Sequence, residues 1–221
     1  MNKTAIIIGA TGLTGGIVLN RLLADHRYHL VRVLTRRSLD LTHCKLQEHV
    51  IDMQDLNSYS SLFNADELYC CVGTTKAKTP HEEVYRSIDF GIPVNAARLC
   101  KENGISTFVV VSSLGADVNS RMFYSRLKGE MEAAVLNYEM EKTIIVRPSL
   151  ITGPRQERRF GEQVGKLAMK VVNPFLIGAL KVYRTIEAQT IAKAMIWLAN
   201  NPTEKAVFLS DELKYIEVNE Y

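Results

Sequence analysis

The 221-residue sequence predicts a doubly wound α/β fold, a mostly parallel sheet with helices on both faces. Two observations carry that expectation. Short, continuous, β-branched apolar runs recur along the chain, as in strands buried on both faces of a parallel sheet. Between most of them lie longer stretches whose apolar residues follow helical spacing, so strand and helix alternate. With no internal repeat, low-complexity tract or Pro/Gly/Ser-rich linker, residues 1–221 are read as one domain with a small C-terminal elaboration.

The expected strands are AIII (5–8), LVRVL (30–34), EHVI (48–51), ELYCCV (67–72), TFVVVSS (107–113), TIIVR (143–147) and AVFLS (206–210). The expected helices run from Leu13 to Ala24, Tyr85 to Glu102, Met122 to Glu139 and Thr190 to Asn200, the last stopped by Asn200-Asn201-Pro202. The alternation lapses over 155–190. Arg155–Arg159 is polar, and Phe160–Arg184 mixes apolar residues with Lys166, Lys170, Lys181 and Arg184. This stretch suits a cover over a ligand crevice, a protein partner or a membrane surface, and equally a packed helix with solvated lysines.

The first strand ends on IIIGATGLTGG, with glycines at Gly9, Gly12 and Gly15. Strand before and helix after are the context in which a glycine motif binds a dinucleotide phosphate. Gly9 permits a tight turn, Gly12 admits the pyrophosphate to the backbone, and Gly15 lets helix and strand pack closely. The free N–H groups at Leu13 and beyond, with the helix dipole, stabilise phosphate charge, and Thr11 and Thr14 add hydroxyls. The spacing G-x-x-G-x-x-G departs from G-x-G-x-x-G. An NAD-preferring fold carries an acid after its second strand to bind the adenosine ribose. Here Thr35 occupies that place, followed by Arg36 and Arg37, whose guanidinium forks suit a 2′-phosphate. NADP (NADPH) is therefore the expected cofactor. Asp52, after the third strand, and Gly73 and Thr74, after the fourth, should border the adenosine half, although Asp52 is also readable as a loop cap.

The TFVVVSS run ends in Ser112-Ser113, and Tyr124 and Lys128 follow four apart on one helical face. A second Tyr-x-x-x-Lys, Tyr138 and Lys142, straddles the end of a helix and the start of a strand, and is taken as a chance match. The GATGLTG turn, Ser113, Tyr124-x-x-x-Lys128 and Arg147-Pro148 together resemble the short-chain dehydrogenase/reductase superfamily and its NAD(P)-binding Rossmann fold. CCVGTTKAK, VSSLGAD, YSRLKGEMEA and RPSLITGPRQERR further resemble its atypical branch, that of the Tat-interactive-protein oxidoreductases, over nearly the whole chain. The resemblance implies Ser113, Tyr124 and Lys128 as catalytic residues and Pro148, Ser149 and Leu150 flanking the nicotinamide. A phenol releases its proton reluctantly at neutral pH, and a neighbouring ammonium stabilises the phenolate. Tyr124 would then act as general acid toward a carbonyl oxygen, Lys128 would also hold the nicotinamide ribose, and Ser113 would fix the substrate oxygen. Conventional members add an asparagine from the fourth helix. Asn95 lies in that region and is otherwise an ordinary helix-face residue.

Composition narrows the rest. Net charge is +3 and the basic residues are dispersed, with nothing longer than pairs such as Arg36-Arg37 and Arg158-Arg159, which argues against nucleic-acid binding. The five histidines show no metal spacing, and His26-Arg27-Tyr28-His29 is read as a solvated loop. Cys44, Cys70, Cys71 and Cys100 form no C-x-x-C pair and are read as buried free thiols. No signal peptide and no apolar run near the ~20 residues of a membrane helix is seen, so a cytoplasmic protein without a transmembrane segment is expected. The leading functional expectation is an NADP-dependent oxidoreductase acting on a small carbonyl or alcohol. Alternatives are an NADPH-binding regulator with a protein partner and little turnover, and an epimerase or dehydratase. A homodimer is compatible with either.

Overall fold

Seven strands form one parallel sheet in the computed structural model, which describes residues 2–153 and 178–216. In chain order they are β1 (Lys3–Ile8), β2 (Tyr28–Thr35), β3 (Leu46–Val50), β4 (Glu67–Cys70), β5 (Thr107–Val111), β6 (Lys142–Arg147) and, after two short strands introduced below, β9 (Val207–Leu209). Their spatial order is β3-β2-β1-β4-β5-β6-β9 and every pairing is parallel. The chain builds outward from β1 to β3, then returns to the other side of β1 with β4. That reversal opens a crevice beyond the carboxyl ends of β1 and β4, where such folds bind ligands. Strands β7 (Ile151–Thr152) and β8 (Ile186–Glu187) pair separately.

Both faces of the sheet are covered. On one, Ile7, Val33 and Tyr69 pack with α1 (Leu13–Ala24), through Val18 and Leu22, and with Ile191, Met195 and Leu198 of a later helix (Ala188–Asn200). On the other, Ile6, Ile8, Cys70 and Phe108 meet Leu99 of one helix (Ile92–Glu102) and Met131 and Val135 of another (Phe123–Leu136). Neighbouring residues of β1 therefore serve opposite layers, as the period of a strand demands. The doubly wound fold expected from the alternation is the fold observed.

Four local expectations are corrected. The helix expected over Tyr85–Glu102 is three pieces: α2 (Glu82–Arg86), a π turn (Ser87–Gly91) and α3 (Ile92–Glu102). Pro93 lies in the first turn of α3 and has no N–H to donate to the carbonyl of Asp89 four residues back, which favours a wider turn there. The helix expected over Met122–Glu139 is α4 (Phe123–Leu136). Tyr138 lies beyond its end and Lys142 opens β6, so that pair shares no helix. Tyr28 opens β2 instead of sitting in a solvated loop. It is buried, donates to Glu67 at 2.7 Å and accepts from Asn200, in a polar cluster that Tyr69 and Lys3 complete at the amino end of the sheet. Cys44 is exposed and Cys71 half-buried, whereas Cys70 and Cys100 are buried.

Helix α5 (Ala188–Asn200), the short α6 (Ser210–Tyr215) and two 3-10 helices (Leu56–Leu62 and Gly178–Tyr183) complete the described elements. No described helix is long and apolar enough to cross a membrane. Of the 155–190 and 160–184 segments expected to face a substrate or partner, the part through residue 177 lies outside the described residues.

One glycine locks the loop after β5 onto α4. A Cβ at Gly129 would stand 2.4 Å from the Val118 nitrogen and 2.5 Å from the Asp117 carbonyl carbon, so only glycine admits that loop. Gly129→Ala should cost about 1–3 kcal/mol of stability by overpacking. Thermal unfolding should register about 2–4 °C for each kcal/mol in a chain of this size, and an unchanged Tm would show that the loop yields freely.

Candidate active site

The glycine turn sits where β1 meets α1. Gly9 has φ +92°, and a Cβ there would stand 2.8 Å from the Cys71 carbonyl, beside the end of β4. A Cβ at Gly15 would fall 2.2 Å from the Gly9 oxygen. The Gly12 N–H closes the turn by donating to that oxygen at 3.0 Å, and Gly12 then caps α1 in extended geometry with no side-chain bond and no acid in the first turn. The N–H groups of Leu13, Thr14 and Gly15 precede the first intrahelical bond, from Gly16 to the Gly12 carbonyl at 2.9 Å, and lie at the helix end beside the crevice. Thr11 is exposed and Thr14 buried. These features fit a dinucleotide phosphate: space that a side chain would fill, and a positive helix end with no internal anion.

After β2, buried Thr35 donates its hydroxyl to the Arg37 carbonyl at 2.9 Å, so it stiffens the turn. Arg36 and Arg37 are exposed and have no ion pair among the described residues. Glu48 of β3 pins the next two residues, accepting from the Leu39 N–H and the Ser38 hydroxyl. Asp52 is exposed and accepts from the Gln54 N–H at 2.9 Å, a turn-capping bond that uses one of its two oxygens.

Gly73 and Thr74 follow β4. The Thr74 N–H donates to Asp89 Oδ2 at 2.8 Å, its hydroxyl bonds Thr79, and its carbonyl accepts from Tyr85. Tyr85 in turn packs edge-on against Phe123 and Tyr124, at 5.7 and 6.3 Å between ring centres. Tyr124 and Lys128 both lie on α4. Tyr124 is 38% exposed, whereas Lys128 is 2% exposed with its Nζ 2.9 Å from Asp89 Oδ1. Burial alone would depress the Lys128 ammonium. Asp89 first, and Tyr124 next, more than offset it, and the group is held above its ordinary value.

The two serines after β5 diverge. Ser112 is buried and donates to Glu132, which also takes the Arg147 guanidinium in a two-pronged pair. Ser113 is half-buried, and among the described residues its hydroxyl makes only a long 3.3 Å bond to the adjacent Leu114 carbonyl. Leu114 donates to the Pro148 carbonyl at 2.9 Å, which brings the Ser113 loop against the turn after β6. Farther along, a Cβ on Gly153 would stand 3.3 Å from Leu13, so β7 abuts the glycine turn. The sequence-derived residues thus border the carboxyl edge of one sheet. Asn95 makes no hydrogen bond to Tyr124 or Lys128 among the described residues. The acid beside Lys128 is Asp89, a residue that sequence reasoning missed, as it missed Glu132. A lone acid in the apolar run IDFGIPV was the available signal.

The serines should separate by substitution. Ser112→Ala leaves a buried carboxylate one donor short and should cost about 1–3 kcal/mol. Ser113→Ala should leave stability within about 0.5 kcal/mol. Equal losses in thermal unfolding would erase the distinction.

A family profile described as NAD(P)H-binding matches residues 9–202. The rat protein HTATIP2 is 31% identical over 169 residues, 75% of this chain and 69% of that protein. The FMP52 protein of Debaryomyces hansenii, named mitochondrial, is 31% identical over 207 residues, 90% and 88% of the two chains. That of Candida glabrata, also named mitochondrial, is 36% identical over 163 residues, 72% and 68%. Among solved structures, L-threonine dehydrogenase from Clostridium difficile superposes with a TM-score of 0.70 at 16% identity, covering 94% of this chain and 75% of its own. The enzyme WbmG of Bordetella bronchiseptica, solved with NAD, does so at 0.70 and 12% identity, covering 94% and 72%. At such identities the two structures support the fold alone. The cytoplasmic location expected from the sequence does not stand, because the fungal relatives are named mitochondrial. Its basis was the lack of a secretory or membrane-length segment, and neither feature distinguishes cytosol from organelle interior. The glycine turn, the sheet order and these matches agree, and the chain belongs to the NAD(P)H-binding family that includes the HTATIP2 and FMP52 proteins.

Proposed function

We propose that the protein is an NADP-dependent oxidoreductase that interconverts a small carbonyl compound and its alcohol. The observation that carries this reading is the pairing of a solvent-accessible phenol, Tyr124, with a buried ammonium, Lys128, on one helix at the carboxyl edge of the sheet.

The cofactor would lie along the Gly9–Gly15 turn, with Gly73, Thr74 and Pro148 bordering it and Asp52 near the adenosine end. When bound it would supply a hydride to the carbonyl carbon. Tyr124 gives its proton to the carbonyl oxygen, so that aldehyde or ketone becomes alcohol. Ser113 donates a hydrogen bond to the same oxygen and fixes its distance from Tyr124. Lys128 keeps a positive charge beside the phenol and would hold the nicotinamide ribose hydroxyls. The free forks of Arg36 and Arg37, with Thr35 turned inward where an acid would select NAD, favour a 2′-phosphate.

Tyr124→Phe should abolish reduction across a panel of small aldehydes and ketones, a loss of about 10²–10⁴-fold, while NADPH affinity stays near wild type. Undiminished turnover would remove Tyr124 from the mechanism. Cofactor binding by the wild type with no turnover on any carbonyl would favour the regulatory alternative. Arg36→Ala should weaken NADPH about tenfold, the worth of one charge-assisted hydrogen bond, and leave NADH unchanged. Equal losses for the two would contradict a 2′-phosphate role.

A further inference from the structure

We propose that Asp89 is a positioning residue of this site, its carboxylate holding the Lys128 ammonium on one side and the Thr74 backbone on the other. The inference rests on the reading of Lys128 as a cofactor-holding residue, and it does not require turnover.

The geometry is specific. Asp89 is 1% exposed, inside the π turn between α2 and α3. Its Oδ1 stands 2.9 Å from Lys128 Nζ on α4, and its Oδ2 accepts from the Thr74 N–H at 2.8 Å. One carboxylate therefore joins three elements: the turn after β4 assigned to the cofactor, the helix carrying Tyr124 and Lys128, and the widened turn that carries Asp89 itself. The Lys128 Nζ meets a single Asp89 oxygen at 2.9 Å, and an ammonium carries three protons, so the pair leaves it donors for other acceptors.

The other groups facing the pair do not replace Asp89. Cys70, from the end of β4, is fully buried, and burial pushes its thiol up to about 11, so it brings no charge near neutral pH. Tyr124 faces Lys128 from its own helix. Arg86 and Glu130 pair with each other at the surface of the same α2–α4 contact. Asp89 is thus the one carboxylate, among the described residues, in contact with the Lys128 ammonium.

The sign of the pH effect follows. With Asp89 present, the folded-state Lys128 ionisation lies above its ordinary value of 10.5, so its stabilising charge is fully present below that pH and is lost only as pH rises through the higher folded value. In Asp89→Asn the largest contribution that offsets burial is gone, leaving that of Tyr124, and the folded value should fall below the ordinary one. The penalty on the charged form is then largest near neutral pH and is relieved as pH rises. The asparagine can still accept from Thr74, so this variant isolates the link to Lys128.

NADPH affinity and thermal unfolding should be measured from pH 7 to 9.5 for wild type, Asp89→Asn, Lys128→Met and the double variant. Between those limits Asp89→Asn should lose about tenfold more NADPH affinity than wild type, as Lys128 sheds its proton and a charge-assisted hydrogen bond goes with it. Its deficit in Tm should narrow over the same interval. Lys128→Met should bind weakly, with no added pH dependence, and the double variant should match it in affinity. Parallel affinity profiles for wild type and Asp89→Asn would overturn the proposal. Should Asp89→Asn not fold, Lys128→Met and the double variant decide it, the double burying neither charge. Equal affinities support action through Lys128, and a further loss in the double overturns it. Failure to reduce any carbonyl would sink the oxidoreductase reading and leave these outcomes standing.

Discussion

How near α1 can come to the sheet is set by two missing side chains. At Gly9 and Gly15 a single extra carbon would drive into backbone atoms, at 2.8 Å from Cys71 and 2.2 Å from Gly9 itself. Because neither carbon is present, the helix starts against the carboxyl ends of β1 and β4, at the point where the strand order reverses. Its first N–H groups open onto the crevice rather than onto a side-chain cap. The rest of the edge is arranged around that position: β7 lies against Leu13, the Ser113 loop is hydrogen-bonded to Pro148, and the Thr74 turn is held by Asp89.

The second constraint is charge burial. Two ion pairs are drawn beneath the site, Lys128 with Asp89 and Arg147 with Glu132. Buried charges are tolerated only when matched, and loss of one partner costs about 3–5 kcal/mol. The pairs are used differently. Glu132 is saturated by Arg147 and Ser112, which ties α4 to β5 and β6 and leaves nothing to offer a ligand. Lys128 has one carboxylate neighbour and an accessible phenol on its own helix. Adjacent serines are divided the same way: the alternation that turns Ser112 into the buried pair turns Ser113 toward the edge where a substrate would lie.

Much of this was legible in the sequence because it depends on local pattern. Continuous apolar runs announced the parallel sheet, and glycine spacing after a strand announced the tight turn into α1. The Tyr138–Lys142 match was separable from Tyr124–Lys128 because one straddles a helix end and the other does not. What stayed hidden depends on long-range contact. Asp89 is 39 positions from Lys128 in sequence, and nothing local marks it as its partner. The π turn that aims it inward follows from the missing N–H of Pro93, but the amphipathic pattern runs straight through that break. Tyr28 looked like part of a polar loop because its partners, Glu67, Tyr69 and Asn200, lie far along the chain. Cellular location left no mark in the core, since an α/β interior is built alike on either side of an organelle membrane.

The central claim is that the uncapped glycine turn and the free arginines after β2 together hold NADPH. Calorimetric titration of the wild-type protein with NADPH and, separately, NADH tests it most directly. NADPH should bind at roughly micromolar Kd, about −8 kcal/mol, and NADH at least about tenfold more weakly. If neither nucleotide binds, in protein that mass spectrometry shows to carry no resident cofactor, the claim is contradicted.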